Sequence, residues 1–288
     1  MSSPLSSRTV AVVTVSYNSS GELDGFLDSV ARGELAPHTY IADNASADLE
    51  TTRAIAATFD ATVIAVGENR GYGGAINAAA AALPDEVEYI LVSNPDVRLS
   101  ADTVERLVTA MEEDTAVGAV GPRVLNVDGT AYPSARSFPS LRTGIGHAVF
   151  FSVWPRNPWS RRYLSHRDDS LQPRPVDWLS GSCVLVRRSA FRAIGGFDEG
   201  YFMYFEDVDL GYRLAKAGWR RLFLPTTSVV HSGAHSTTTE SARMIRAHHD
   251  SAYRYLSRKY SGPLLAPLRW VLKLGLDLRA AYLTRRSD

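Results

Sequence analysis

The sequence predicts an α/β protein with a mostly parallel sheet and helices on both faces. Short apolar, β-branched runs each precede a segment with apolar residues at helical spacing, and this unit occurs four times in residues 10–111. Continuous apolar strands are typical of parallel strands buried on both faces, and helices usually connect them. Ligands of such folds bind at the carboxyl ends of the strands.

The four strand–helix units follow one another along the chain. In the first, the capping-type Ser19 and Ser20 follow the strand, and apolar residues then recur at helical spacing at Leu23, Phe26, Leu27 and Val30. The predicted strands are residues 10–15, 39–42, 62–66 and 89–92. The predicted helices lie around residues 23–30, 48–59, 74–83 and 101–111.

The regular alternation ends after Val120. Residues 121–175 are rich in Pro, Trp, Arg and Ser, which predicts a long ordered insertion or lid rather than a linker. A strand in VDWLSGSCVLVRR, an amphipathic helix ending at Gly218, and short strands in WRRLFLP and TSVVH follow, and the remainder is helical. We therefore divide the chain into a main domain, residues 1–240, and C-terminal helices, residues 241–288.

The composition is that of a globular protein without a strong net charge. Lys plus Arg and Asp plus Glu each number 31 in 288 residues, so nucleic acid is not an expected partner. The single cysteine, Cys183, forms no internal disulfide and is expected to be a small buried hydrophobe. The N-terminus has no signal-peptide pattern, and the longest apolar stretch, residues 148–154, is shorter than the roughly 20 residues of a membrane span. A cytoplasmic protein is expected.

A glycine-rich stretch, ENRGYGGAIN, follows the third predicted strand. It lacks the Lys-Ser/Thr of a P-loop, and Gly71, Gly73 and Gly74 do not fit the spacing G-x-G-x-x-G. A plain loop with positive φ at Gly71 and Gly73 and a ligand-contacting loop both remain open from this stretch alone. Its position after a strand favours ligand contact, because its amides then lie at the sheet edge.

Acidic residues stand at two places where they can serve chemistry. Asp96, in LVSNPDVRLS, comes just past the fourth strand, where a carboxylate can bind a hard cation. Taken alone, this motif is better explained by turn or helix capping by Asn94 and Asp96. Glu206 and Asp207 lie at a predicted helix start, where the helix dipole favours acids. The aromatic run YFMYF before them is costly to expose and suggests the wall of a pocket for a polar, ringed substrate.

The motifs taken in order resemble the family 2 glycosyltransferases, inverting enzymes with the Rossmann-like GT-A fold. They are TVSYN, ADNAS, NRGYGGAIN, NPD, WLSGSC, GGFDEGYFMYFEDVDLGYRL and HSGAHST, across residues 8–240. Within that family, PSARSFPS, HAVFFSVWPRNPW and WLSGSCVLVRRSAF imply transfer of L-rhamnose from dTDP-L-rhamnose to polyprenyl-diphosphate-linked N-acetylglucosamine in cell-wall linker synthesis. The alternatives are another donor, carrying galactofuranose or mannose, a nucleotide-sugar-binding protein without catalysis, and a soluble scaffold assembled through the Trp-rich insertion.

The resemblance implies which residues contact the donor. Tyr17 and Asp43 match positions that hold the nucleotide base, and an aspartate can accept the imide N–H of thymine or uracil. Asn69 and Gly71 fall where the ribose and phosphates pass. The full set of implied donor contacts is Ser16, Tyr17, Asp43, Asn69, Gly71, Asn94 and Asp96.

The resemblance also implies the reaction chemistry. Asp207 matches the catalytic base, which takes the proton of the acceptor hydroxyl, and Glu206 is its local competitor. Asp96 and His231 match ligands of Mn²⁺ or Mg²⁺, although any single histidine is more often simply hydrogen-bonded. Asn94 replaces the first acid of the family's Asp-x-Asp motif and contributes no charge. Acceptor contacts are implied for Trp178 and Glu206, with core packing as the alternative for Trp178.

A lipid-linked acceptor implies contact with a membrane surface. The segment 267–286 combines leucines with Arg and Lys, and a Trp-rich stretch occupies residues 150–162. Both patterns suit the anionic cytoplasmic leaflet, so we predict peripheral association with the inner face of the plasma membrane. Packing of the last helix on the domain, or a homodimer contact, is the alternative.

Overall fold

Strands and helices alternate in the first part of the chain. The structure, a computed structural model, describes residues 9–140, 171–233 and 242–287. Its first elements are β1 (Val10–Ser16), α1 (Ser20–Ala31), β2 (His38–Asp43), α2 (Leu49–Thr58), β3 (Thr62–Ala65), α3 (Gly71–Ala81), β4 (Tyr89–Ser93), β5 (Val97–Leu99) and α4 (Thr103–Glu112). The four predicted strand–helix units are therefore present.

The second part of the chain adds mainly strands and then two long helices. The strands are β6 (Val117–Leu125), β7 (Ala131–Tyr132), β8 (Ala135–Arg136), β9 (Arg174–Pro175), β10 (Trp178–Leu179), β11 (Cys183–Arg187) and β12 (Arg220–His231). The helices are α5 (Arg188–Ala193), α6 (Glu206–Lys216), α7 (Ala242–Lys259) and α8 (Ala266–Ser287). A 3₁₀ turn (Pro263–Leu265) joins α7 to α8. Along the described segments, no helix is both long and apolar enough to cross a bilayer.

The main sheet is mixed but largely parallel on its first side. Its strand order is β3-β2-β1-β4-β11-β6-β12-β5. Strands β1 to β4 pair in parallel, as their helical crossovers require, whereas β11 runs antiparallel to both β4 and β6. The predicted α/β class, its mostly parallel sheet and its C-terminal helical extension are confirmed.

Two apolar layers cover the faces of this sheet. Side chains alternate along a strand, so Val10 and Val12 of β1 pack with α1, α2 and α4, while Ala11 and Val13 pack with α3, α5 and α6. Both faces are thus buried, which explains the unbroken apolar run that predicted a parallel strand. Cys183 is buried among these residues, as predicted.

Three local expectations differ from the structure. The two short strands predicted near the C-terminal side form one strand, β12, with a register shift between Leu224 and Ser228, where Pro225 has no N–H to donate. Strand β6 continues through Leu125, beyond the point where the sequence pattern ends. Helix α3 begins at Gly71, so Gly73 lies inside it; Gly73 is needed because a Cβ there would lie 2.8 Å from Phe197 Cβ.

Two predicted features lie outside the described residues. The Trp-rich stretch at residues 150–162, with the apolar run before it, falls in residues 141–170. Most of the HSGAHST motif falls in residues 234–241.

Candidate active site

Polar residues meet at the carboxyl edge of the sheet. Ser16 at the end of β1 pairs with Asp43 at the end of β2, and β4 ends beside β1 just before Asn94. Strand β12 reaches the same edge from the other side, because His231 pairs with Val97 of β5. The strand order therefore brings together residues that are far apart in the sequence.

Asp96 and His231 form a close acid–histidine pair. His231 Nε2 lies 3.1 Å from Asp96 Oδ1, and Asn94 Nδ2 lies 3.4 Å from the same nitrogen. Burial opposes ionisation of Asp96, but the hydrogen bond and charge of His231, with backbone amides, outweigh it and hold its pKa below the usual value. The Asp96 carboxylate is therefore charged at neutral pH, as a metal ligand must be.

Asp43 has an unsatisfied oxygen at the end of β2. Its side chain is 1% exposed; Oδ1 accepts a hydrogen bond from the Ser46 amide at 3.0 Å, while Oδ2 has no partner. A buried polar atom without a partner is costly, so a ligand N–H fits this position. Tyr17, at the end of β1, is 49% exposed and offers a ring surface nearby. Ser16 is fully buried, and its hydroxyl oxygen lies 3.2 Å from that of Ser19. Contact of Ser16 with a donor stays a prediction.

Asn44 organises the glycine-rich loop, and the sequence reasoning did not single it out. Its Oδ1 accepts from the Arg70 amide at 2.9 Å, and its Nδ2 donates to Asn69 Oδ1 at 2.9 Å. Asn69 Oδ1 also accepts from the Gly71 amide at 3.0 Å, so that amide is already used within the loop. The signal was its position inside ADNAS, directly after Asp43.

Gly71 joins this loop to the aromatic segment before α6. It has a φ of +73°, as predicted, and a Cβ at this position would lie 2.2 Å from the carbonyl oxygen of Phe202. The Tyr72 amide donates to that same oxygen at 3.2 Å. Only glycine permits this close approach, which holds the glycine-rich loop against the aromatic segment that precedes α6.

Asp207 lies at the start of α6, held by two backbone amides. Its Oδ2 accepts from the Gly181 amide at 3.1 Å, and its Oδ1 accepts from the Val208 amide at 2.8 Å. The Tyr72 hydroxyl donates to the Gly181 carbonyl at 2.8 Å, which fixes the loop that presents that amide. The carboxylate is thereby oriented by the protein before any substrate binds.

Glu206 and Asp207 are neighbouring acids whose pKa values are both raised. Burial raises the pKa of Glu206 to about 8, and the charge of Asp207 adds to the effect. Burial also raises the pKa of Asp207, but the amides of Gly181 and Val208 and the charge of Arg136 oppose it. Two backbone amides favour the charged form of Asp207, whereas Glu206 Oε2 has no hydrogen-bond partner, so Glu206 holds a proton more readily than Asp207 does.

Replacing Glu206 by Gln is expected to flatten the pH dependence of stability. The pKa of Glu206 rises from 4.5 to about 8 on folding, so the folded state holds this proton more tightly and the free energy of unfolding falls as pH increases through that window. Glu206→Gln removes this loss of stability, because Gln does not ionise. The difference in melting temperature, variant minus wild type, should therefore be larger at pH 9 than at pH 5. Thermal unfolding at both pH values checks this, and a constant difference contradicts it.

Trp178 packs in the interior rather than facing a sugar. Its side chain is 8% exposed, its Nε1 donates to the Ser137 carbonyl at 3.1 Å, and it packs with Val208 and Tyr255. The prediction that Trp178 stacks on the acceptor is therefore corrected: its ring is covered because β10 lies against α6. Tyr201, from the aromatic run YFMYF, is also fully buried.

Asp209, the third acid at the start of α6, is structural. It is fully buried and accepts from Arg213 Nε at 2.5 Å and from Arg258 of α7. Arg258 also pairs with Asp198 at 2.5 Å. Helix α7 therefore anchors the segment that carries Glu206 and Asp207.

The fold and the site together define the GT-A class of glycosyltransferase folds. The sheet is mostly parallel, an acid–histidine pair lies at its carboxyl edge, and a carboxylate lies at the start of a nearby helix. The mannosyltransferase PcManGT from Pyrobaculum calidifontis, solved with GDP-Man and Mn²⁺, has this fold: its TM-score is 0.60 at 17% identity, covering 97% of this chain and 72% of that one. The chain belongs to glycosyl transferase family 2, whose sequence profile matches residues 11–195. The predicted family and fold are confirmed.

Two curated relatives carry rhamnosyltransferase names. The chain is 43% identical to the N-acetylglucosaminyl-diphospho-decaprenol L-rhamnosyltransferase of Mycobacterium tuberculosis, over 96% of this chain and 93% of the relative. It is 32% identical to the rhamnosyltransferase WbbL of Escherichia coli, over 61% of this chain and 64% of that relative. The first similarity extends through both the sheet and the C-terminal helices.

Proposed function

We propose that this protein transfers L-rhamnose from dTDP-L-rhamnose to N-acetylglucosamine that is linked through a diphosphate to a polyprenol. One observation carries this proposal: 43% identity over almost the full length of both chains to an enzyme named for that acceptor and sugar. The grouping of Asp43, Asp96, His231 and Asp207 at one sheet edge supports it. The transfer inverts the configuration of the sugar, as the family resemblance implies.

The donor binds along the ends of β1, β2 and β4 in this proposal. Asp43 Oδ2 accepts the imide N–H of thymine, which satisfies an oxygen that otherwise has no partner. Tyr17 covers the base with its exposed ring, and the loop carrying Asn69 and Gly71 lines the path of the ribose and phosphates. Asn94 faces the diphosphate from the end of β4.

Asp96 and His231 fit a divalent metal ion, Mn²⁺ or Mg²⁺. A charged carboxylate 3.1 Å from an imidazole nitrogen suits either ion, and imidazole favours Mn²⁺. Residues 9–140, 171–233 and 242–287 contain no group of three or more His, Cys, Asp or Glu placed to hold a metal, so among these residues Asp96 and His231 would hold the ion together with the donor's diphosphate. When bound, the ion supplies positive charge for the departing nucleoside diphosphate.

Asp207 is the general base in this proposal. The acceptor hydroxyl approaches its carboxylate, gives up its proton there and attacks the anomeric carbon from the side opposite the diphosphate. Glu206, protonated at neutral pH, donates a hydrogen bond to the acceptor and keeps a second negative charge out of the site. The two acids thus have separate roles set by their surroundings.

The test of the proposed function is a product assay. Purified protein is incubated with Mn²⁺ or Mg²⁺, a short-chain polyprenyl-diphosphate-N-acetylglucosamine and, separately, dTDP-rhamnose, UDP-galactofuranose or GDP-mannose. Mass spectrometry of the lipid product is expected to show addition of one deoxyhexose with dTDP-rhamnose only. A product with another donor identifies a different transferase, and binding without any product supports a non-catalytic protein.

We further assign residues 1–240 to the transferase domain and residues 241–288 to an extension that contacts the anionic cytoplasmic leaflet. Helix α8 packs on α7, and its most buried residues are Ala280 and Thr284; Lys273 of α8 lies 2.5 Å from Asp277 of the same helix and 3.9 Å from Asp250 of α7. The outward side of α8 carries exposed apolar residues, namely Trp270, Val271, Leu274, Leu278 and Tyr282. A helix with apolar residues outward and arginines beside them suits a membrane surface, which the lipid-linked acceptor requires.

Replacing Trp270 and Leu274 by Ser is expected to weaken binding to anionic vesicles by about tenfold or more, since burying one large apolar side chain contributes roughly 1.5–3 kcal/mol. Both side chains are more than half exposed, at 77% and 62%, so folding should be unaffected. Flotation with phosphatidylglycerol vesicles measures the effect. Val127→Ser, at a 73% exposed position in a turn far along the chain, is the matched control. Unchanged flotation with a loss of dimer in light scattering supports the homodimer alternative.

A further inference from the structure

Arg136 is a cation that contacts two aromatic rings. Strand β8 pairs antiparallel with β10, which sets Arg136 opposite Trp178. The guanidinium carbon lies 5.4 Å from the centre of the Trp178 ring and 5.6 Å from that of Tyr132. Arg136 Nε donates to the Pro133 carbonyl at 2.6 Å. These contacts fix the direction of the side chain.

The Arg136 side chain lies between the proposed metal ligand His231 and the proposed base Asp207. The Tyr132 ring, on one side, makes an edge contact with His231 at 6.3 Å between centroids. On the other side, the charge of Arg136 acts on Asp207 and opposes the rise of its pKa. Arg136 therefore stands within electrostatic reach of the atom that must receive the acceptor's proton.

Arg136 has no anionic partner in the described parts of the chain. Its only protein hydrogen bond there is the one from Nε, so both terminal nitrogens are available while the side chain is half-buried. Most other half-buried arginines of this region have partners: Arg213 and Arg258 pair with Asp209. A partly desolvated arginine whose two parallel donors are unused matches the geometry of a phosphate group.

We propose that Arg136 binds the diphosphate of the lipid-linked acceptor. This inference rests on the proposed function, because it takes the sugar at Asp207 to be joined directly to a diphosphate. An acceptor hydroxyl at Asp207 then leaves the anion one sugar ring away, and the unused terminal nitrogens of Arg136 are the proposed partners of that anion. The donor's diphosphate has a different set of partners, the Asp96–His231 pair with its cation.

The consequence is a specificity device. Arg136 makes the enzyme select N-acetylglucosamine that carries a diphosphate over uncharged N-acetylglucosaminides. The aromatic contacts of Trp178 and Tyr132 serve to hold the cation in place, which gives the buried Trp178 a role in acceptor selection without contact with the sugar.

Arg136→Gln tests this proposal with two acceptors. With a short-chain polyprenyl-diphosphate-N-acetylglucosamine, the variant should raise the acceptor KM by roughly ten- to a hundredfold, the range expected for losing hydrogen bonds to a charged group. With an uncharged alkyl N-acetylglucosaminide, kcat/KM should fall much less, by no more than the effect of the lost charge on the pKa of Asp207. Arg136→Lys should fall between wild type and Arg136→Gln, because it keeps the charge without the paired donors. Lys216→Gln, which removes a cation 4.8 Å from the Tyr212 ring, is the control and should match wild type.

Equilibrium binding of a short-chain polyprenyl diphosphate, which needs no turnover, keeps this test separate from the proposed function. Weaker binding by Arg136→Gln supports the inference even if no rhamnosyl transfer is observed. Equal affinity of variant and wild type overturns it. A raised KM for dTDP-rhamnose instead assigns Arg136 to the donor diphosphate and overturns the inference. Equal losses of kcat/KM with both acceptors also overturn it, because they indicate that Arg136 has a packing role.

Discussion

Replacing Asp207 by Asn is expected to lower kcat by roughly 10²- to 10⁴-fold, the usual contribution of a general base. Asn is nearly isosteric and can still accept a hydrogen bond from the Gly181 amide, so the start of α6 should keep its position. It cannot take a proton from the acceptor hydroxyl. Binding of dTDP, which involves the far side of the edge, should be largely retained.

Single-turnover kinetics with dTDP-rhamnose and the lipid acceptor measure this effect, and a thermal shift with dTDP reports donor binding. Asp24→Asn is the matched control, because Asp24 is exposed on α1 and loses the same charge away from the site. Retention of more than about a tenth of wild-type kcat would remove Asp207 from the role of base and transfer attention to Glu206.

Replacing Asp96 by Asn is expected to abolish the metal dependence of donor binding and to lower turnover by about 10²- to 10³-fold, the range for losing a major electrostatic contribution to a transition state. The Asp96 carboxylate is charged and lies 3.1 Å from His231 Nε2, and no other acid pairs with that nitrogen in the described residues. The amide of Asn has no charge with which to hold a divalent ion.

Differential scanning fluorimetry with dTDP, with and without Mn²⁺, measures this loss. In the wild type, Mn²⁺ should add to the stabilisation by dTDP and EDTA should remove that addition; neither should affect Asp96→Asn. His231→Gln should behave like Asp96→Asn. His38→Gln is the control, because His38 lies at the start of β2, at the other end of the sheet. A persistent Mn²⁺ effect in Asp96→Asn contradicts the metal assignment.

The elements of the fold were predictable because their signals are local. The continuous apolar run of β1 reflects a strand that is buried on both faces. The helical spacing of apolar residues in α1 reflects a helix that is buried along one side, at Leu23, Phe26, Leu27 and Val30. The same holds for Cys183, whose apolar strand indicated burial. Where a local signal had two explanations, the prediction was less successful: Trp178 could contact the acceptor or pack in the core, and it belongs to the core.

The sequence by itself determined the α/β class, the order of strands and helices, the glycosyltransferase family and the identity of the acids and the histidine at the edge. Only the tertiary structure decided that His231 contacts Asp96, that Arg136 packs against the Trp178 and Tyr132 rings and that α8 leaves several large apolar side chains exposed. The physical reason is that the periodicity of apolar residues depends only on whether each face of a segment is buried. These contacts depend instead on the order and register of strands that are far apart in the sequence, and no local pattern specifies them.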